Sequence, residues 1–175
     1  RNQLMEDLVI RETAKLINDY KSGRLEYDGL IYLMYTVRDK AEVVPLYIGK
    51  AETVGKSGGN LSANIMNLHR DKSKFARWGD NYAYHIGDLS AVAVAGHPGN
   101  KATAKYTDWA MHLFKEFPSQ CPKLKIQVHF WAKAWCRYNV GIWEDFGPTR
   151  LTFLEYLLIG IASSAYPDSL LNREG

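Results

Sequence analysis

Two runs rich in aromatic and β-branched residues follow one another in quick succession, Leu30–Val37 (LIYLMYTV) and Val43–Ile48 (VVPLYI). Asp28-Gly29 precedes the first, and the charged stretch Arg38-Asp39-Lys40 lies between them. Runs of this kind joined by a short charged loop predict a β-hairpin. A lone hairpin is marginal in water, so other segments must cover it.

The rest of the chain offers those covers. Residues 2–21 place Leu4, Leu8, Ile17 and Tyr20 among charges, which predicts an amphipathic helix stopping near Ser22-Gly23. Leu61, Ile65, Leu68 and Phe75 recur at helical spacing, with Asn60 or Ser62 as the cap. Residues 82–95 (YAYHIGDLSAVAVA) read as a strand or a strand pair, closed by a turn at Gly96-His97-Pro98-Gly99. Ala102, Tyr106, Trp109, Leu113 and Phe117 predict a helix ending at Pro118. From Leu124 to Ala134 apolar residues alternate with Lys125, Gln127, His129, Trp131 and Lys133, the strongest strand pattern in the chain. Thr149–Ala165 reads as an apolar helix with Glu155 in its middle, stopped by Pro167. The expected fold is α/β (α+β): one domain over residues 1–175 with a small, mostly antiparallel sheet flanked by helices. Residues 1–25 form an N-terminal helical extension and residues 82–120 a central insertion.

Composition narrows the function classes. With 175 residues, 46% hydrophobic and 23% charged, the chain is long enough for one real core. A net charge of +3 and an aromatic share of 13% permit a nucleic-acid partner without requiring one. Cys121 and Cys136 have no zinc-ligand spacing and fit a reducing, cytoplasmic setting. No apolar run approaches the roughly 18 residues that span a bilayer, so no membrane partner is expected. Because the chain begins with Arg1, it is expected to be a trimmed piece of a longer protein.

The stretch Pro45–Gly59 (PLYIGKAETVGKSGG) superficially suggests a phosphate-binding P-loop. Such a loop needs four residues between its glycines before Gly-Lys-Ser, and here Gly49 and Gly55 enclose five. The βαβ alternation of a nucleotide-binding sheet is missing as well. A nucleotide-hydrolysing reading, which would hang on Lys56, ranks last.

Gly29-Leu30-Ile31-Tyr32 and Tyr47-Ile48-Gly49, each with its glycine and tyrosine, sit on the two expected strands. The pairing resembles the signature of the GIY-YIG nuclease superfamily, in a restriction-endonuclease-like form. Lys50-Ala51 after the second motif, Asn60-Leu61 opening a helix, Leu154-Glu155, Pro167 and Leu171-Asn172 follow in the family's order across residues 29–172. The first motif is one residue longer than usual, and the alignment places Asn64 where the family carries its catalytic arginine. Arg70 or Arg77 is then the candidate substitute, since an amide cannot offer a phosphate a fixed positive fork.

The resemblance implies a Mg²⁺ (or Mn²⁺)-dependent endonuclease acting on double-stranded DNA, working as a monomer or a homodimer. Glu155 is the expected metal ligand, because a carboxylate inside an apolar stretch is costly unless paired or metal-bound; the alternative places it on a solvent face. Tyr32 is the expected general base, Tyr47 the group that orients the nucleophile, and Lys50 the cation that depresses the phenol and touches the phosphate. Ordinary core packing is the alternative for both tyrosines. His69 is either a phosphate contact or a surface histidine, while Gly49 and Asn172 support the site structurally. Lys125, Trp131, Lys133 and Arg137, with His129 and Trp135, interleave cations and aromatics as a nucleic-acid surface would. Alternatively, the tryptophans pack beneath a helix. Residues 82–120 are the candidate target-recognition or partner surface. The rival function is a nuclease-derived DNA-binding module that has lost cleavage.

Overall fold

β1 (Tyr27–Val37) is the central strand of a three-stranded antiparallel sheet, flanked by β2 (Val43–Glu52) and β3 (His129–Cys136) in the order β2-β1-β3. The structure is a computed structural model that describes residues 2–55, 58–71, 92–96 and 103–172, with only the backbone of His69. Helices α1 (Gln3–Ser22), α2 (Ala63–Arg70), α3 (Ala104–Leu113) and α4 (Leu151–Ala165) surround the sheet, giving an α+β fold.

The hairpin forms as its two runs require. Its register pairs Ile31 with Lys50 and Tyr32 with Gly49, and an irregularity at Met34/Tyr35 accommodates the extra residue Leu46. Alternation then divides the sheet into two faces. Leu30, Tyr32, Met34, Phe130, Ala132 and Ala134 join a core with residues of α1, α2 and α3. Ile31, Ile48 and Trp135 join a second core with Leu151, Leu154 and Ile159 of α4.

α1 starts at Asn2, whose Oδ1 accepts from Met5 N–H at 2.9 Å, and ends at Gly23, where φ of 74° favours glycine. The segment read as an extension is packed into the core through Val9, Leu16 and Ile17. Two of its acids also reach the sheet. Glu12 Oε2 accepts from the buried Ala134 N–H at 3.0 Å, and Asp19 Oδ2 accepts from Tyr27 N–H at 3.0 Å. Burial alone would push the Glu12 carboxyl upward, but Lys15 and the Ala134 amide outweigh it and hold the group below the usual value.

Three boundaries differ from expectation. α2 is capped by Ser62 and runs only to Arg70, with Asp71 at its C-cap; residues 72–75 lie outside the described ones. α3 stops at Leu113 and not near Phe117, because Phe114 turns extended, is buried, and bridges Leu124. β3 starts at His129 and not Leu124. Tyr35 pairs with His129 at the limit of the β1–β3 ladder, and the chain before His129 leaves the sheet. Lys125 instead donates its N–H to Leu113 O.

α4 begins at Leu151, two residues later than expected, and Arg150 provides no side-chain cap. Asp28 of β1 takes that role, accepting from Leu151 N–H at 3.3 Å and holding Arg150 through Nε (2.6 Å) and Nη2 (2.9 Å). The strand that precedes Tyr32 therefore also sets the position of the helix that carries Glu155. Of the expected strand over residues 82–95, only 92–95 are described, where Val94 bridges Ser119. No described helix is long and apolar enough to cross a membrane.

Candidate active site

Tyr32 and Tyr47 share one face of the hairpin, their ring centroids 6.0 Å apart. Tyr32 is buried and stacks on Phe130 at 5.6 Å, whereas Tyr47 is half-buried and meets the edge of Trp109 at 4.8 Å. Gly49 makes this packing possible. A Cβ there would stand 2.5 Å from the Tyr32 hydroxyl and 2.8 Å from a Tyr47 ring carbon.

Both phenols are held in the protonated form. Burial drives Tyr32 well above its usual value, and the neighbouring Tyr47 and the charge of Glu155 add to this. Tyr47 is pushed up to about 12, again chiefly by burial and then by Glu155, while its hydrogen bond with Tyr32 lowers it.

Glu155, on α4, lies beside the Lys50 backbone N–H of β2. Its carboxyl is raised by burial and by Glu52, against the opposing pull of Lys50, the Lys50 backbone N–H and Lys105. Two residues back along β2, Asn172 closes a pair of backbone groups. Its Oδ1 accepts from Ile48 N–H and its Nδ2 donates to Ile48 O, both at 2.7 Å. Asn172 thereby ties the C-terminal segment to β2.

Lys50 is placed differently from the expectation. Pairing with Ile31 puts it on the α4 face of the sheet, opposite the tyrosines. Its Nζ sits 2.9 Å from Glu52 Oε1 and 3.8 Å from Glu155 Oε2, and it also donates to Thr152 Oγ1. Lys50 balances carboxylates; it does not lie beside the Tyr32 phenol.

A groove of about 800 Å³ runs along this end of β2 between α2 and α4, lined by Lys50, Glu52, Asn64 and Tyr156 among others. Asn64 thus shares a wall with Lys50. Arg70 is exposed in the last turn of α2, the His69 side chain is not described, and Arg77 and Lys56 lie outside the described residues.

The cation at the tyrosine pair is one that sequence reasoning missed. Lys105, exposed in the first turn of α3, holds its Nζ 5.4 Å from the Tyr47 ring centroid and 5.1 Å from that of Trp109. Its neighbour Tyr106 meets Trp109 edge-on at 5.4 Å. The one sequence signal was a lysine without any acid in a first helical turn, where the helix dipole disfavours positive charge.

The expected nucleic-acid surface does not assemble on one face. Trp135 is buried beneath α4, donating Nε1–H to Thr149 O at 2.6 Å, so for this residue packing beneath a helix prevails. Trp131 and Lys133 line an apolar groove of about 550 Å³ bordered by Leu154 and Leu158, and Lys133 Nζ lies 5.7 Å from the Trp135 ring centroid. Lys125 Nζ donates to Met111 O at 2.7 Å, away from β3, and the His129 ring stacks on Tyr35. Arg137 lies just past β3 and lines a separate cavity of about 240 Å³ with Asp28 and Arg150. Among the described residues no group of three or more His, Cys, Asp and Glu side chains is placed to hold a metal ion.

No family model, curated protein or solved structure matches the chain.

Proposed function

We propose that the chain is a metal-dependent endonuclease that hydrolyses phosphodiester bonds of double-stranded DNA, of the GIY-YIG type its motifs resemble. The observation that carries this reading is the pairing of Tyr32 and Tyr47 on one face of the hairpin, with the Glu155 charge raising both phenols.

Glu155 suits a single carboxylate ligand. It is partly buried, its charge is disfavoured by burial and by Glu52, and a positive ion would relieve both. Mg²⁺ or Mn²⁺ held there would stabilise the departing oxygen and lower the pKa of nearby acids. The protein's own groups then divide the remaining work. Tyr32, buried beside Tyr47, orients its partner. Tyr47, half-buried and so the more accessible of the two, meets the water and takes part in its proton transfer. This exchanges the parts expected for the two tyrosines. Lys50 keeps Glu155 charged and aimed along β2.

The test is cleavage of supercoiled plasmid with Mg²⁺, with EDTA, and by Glu155→Gln. Discrete cuts that need both metal and Glu155 support the reading; unchanged cutting by Glu155→Gln sinks it.

A second reading, a DNA-binding module without cleavage, draws on the neutral Asn64 in the groove wall beside Lys50. It expects DNA binding by the parent without cutting, and cutting once Asn64→Arg supplies a cation.

A further inference from the structure

We propose that Lys105 of α3 is the catalytic cation of the site, contacting the non-bridging oxygens of the scissile phosphate. The inference rests on the nuclease reading above and names a residue that the motifs do not.

Hydrolysis of a phosphodiester builds negative charge on the phosphorus-bound oxygens, and a fixed positive group beside them lowers the barrier. The two cations nearest in sequence do not fill this role by position. Lys50 lies on the opposite face of the sheet, where Glu52 and Thr152 hold its ammonium. Arg70 stands exposed at the far end of α2. Lys105 differs from both. Its Nζ lies over the Tyr47 and Trp109 rings, on the face where the phenol pair sits, and its charge reaches the Glu155 carboxyl. No ion pair within 4 Å joins it to another described residue.

α3 is firmly seated for this purpose. Trp109, Ala110 and Leu113 are buried in the core, and Trp109 Nε1–H donates to Leu171 O at 3.3 Å, next to Asn172. Thr103 caps the helix, accepting from Tyr106 N–H at 3.4 Å. The two aromatic faces guide the lysine stem and leave the ammonium at the rim of the tyrosine pair. A phosphate bound between Lys105 and Tyr47 would meet one charged donor and one neutral donor. A segment expected to serve target recognition therefore also completes the reaction centre.

The experiment compares the parent, Lys105→Met and Lys105→Arg in two assays, with far-ultraviolet circular dichroism confirming the fold of each. The first is binding of thymidine 3′,5′-bisphosphate by calorimetry, which needs no turnover. The second is Mg²⁺-dependent plasmid cleavage. Methionine keeps the apolar stem over Trp109, so loss of charge is what is read. The expected result is binding at least about tenfold weaker and cleavage about 10²-fold slower in Lys105→Met, of the order seen when one transition-state donor is removed. Lys105→Arg should recover most of both. Parent-like binding and cleavage by Lys105→Met would overturn the role of Lys105 while leaving the nuclease standing. A parent that neither binds the bisphosphate nor cuts DNA overturns both.

Discussion

Tyr32 and Gly49 face each other across the β1–β2 ladder, and the ring of the first fills the space a side chain on the second would need. The glycine is required because two aromatic rings cross over it, and not by its backbone angles. Gly49→Ala should therefore displace Tyr32 or Tyr47 and cost about 1–3 kcal/mol through overpacking. For a chain of this size each kcal/mol lowers Tm by roughly 2–4 °C, and differential scanning calorimetry reads the change. A Tm equal to that of the parent would refute the packing argument.

Glu155 is held ionised at a cost to the fold. Its carboxyl is raised above the usual 4.5 by burial first and by Glu52 as well, so keeping it ionised costs the folded state stability. A raised folded value gives full stability below about pH 4.5, and that share is lost as pH rises through the folded pKa. Glu155→Gln should melt higher than the parent at pH 7, with the gap closing as pH falls below 4.5, while metal-dependent cleavage disappears. A lower Tm at pH 7 would show that the pair with Lys50 outweighs the cost of burial.

Tyr47 predicts an alkaline signature. Its folded pKa of about 12 exceeds the unfolded value near 10, so the folded state keeps a proton that the unfolded chain releases. The associated stability is complete below pH 10 and declines between pH 10 and 12. Urea midpoints measured across that window should fall less steeply for Tyr47→Phe than for the parent. Parallel curves would place the phenol in water.

Glu12 predicts the opposite limb. Because its folded value is lowered, its contribution is complete above the ordinary carboxylate value of 4.5 and fades as pH falls through the folded pKa. Glu12→Ala also strands the buried Ala134 N–H, at a cost of about 1–3 kcal/mol. Denaturant unfolding at pH 7 and pH 3 should show the mutant weaker at both, with the gap to the parent narrower at pH 3.

The hairpin, α1 and the apolar helix holding Glu155 were legible because each is written locally, in alternation, caps and helical spacing. The extent of β3 was not. Leu124–Val128 carry the same alternation as His129–Ala134, but only the latter pair with β1. Trp135 shows a related limit. A period of two says that it opposes Ala134 but not that α4 covers its face. The motifs located Tyr32, Tyr47, Gly49, Glu155 and Asn172 around one edge. They could not turn Lys50 to the far face, which follows from pairing register, nor bring in Lys105, which approaches from a helix more than fifty positions away in sequence.

Both margins of the three-stranded sheet are occupied by side chains. Glu12 takes the Ala134 amide of β3, while Asn172 takes both backbone groups of Ile48 on β2. Unpaired margins are the usual templates on which sheets of separate molecules polymerise. Here Glu12 and Asn172 already occupy part of each margin, so a second copy that lengthened the sheet would have to displace them. The same two side chains that tie α1 and the C-terminal segment to the sheet thereby also oppose fibrous aggregation.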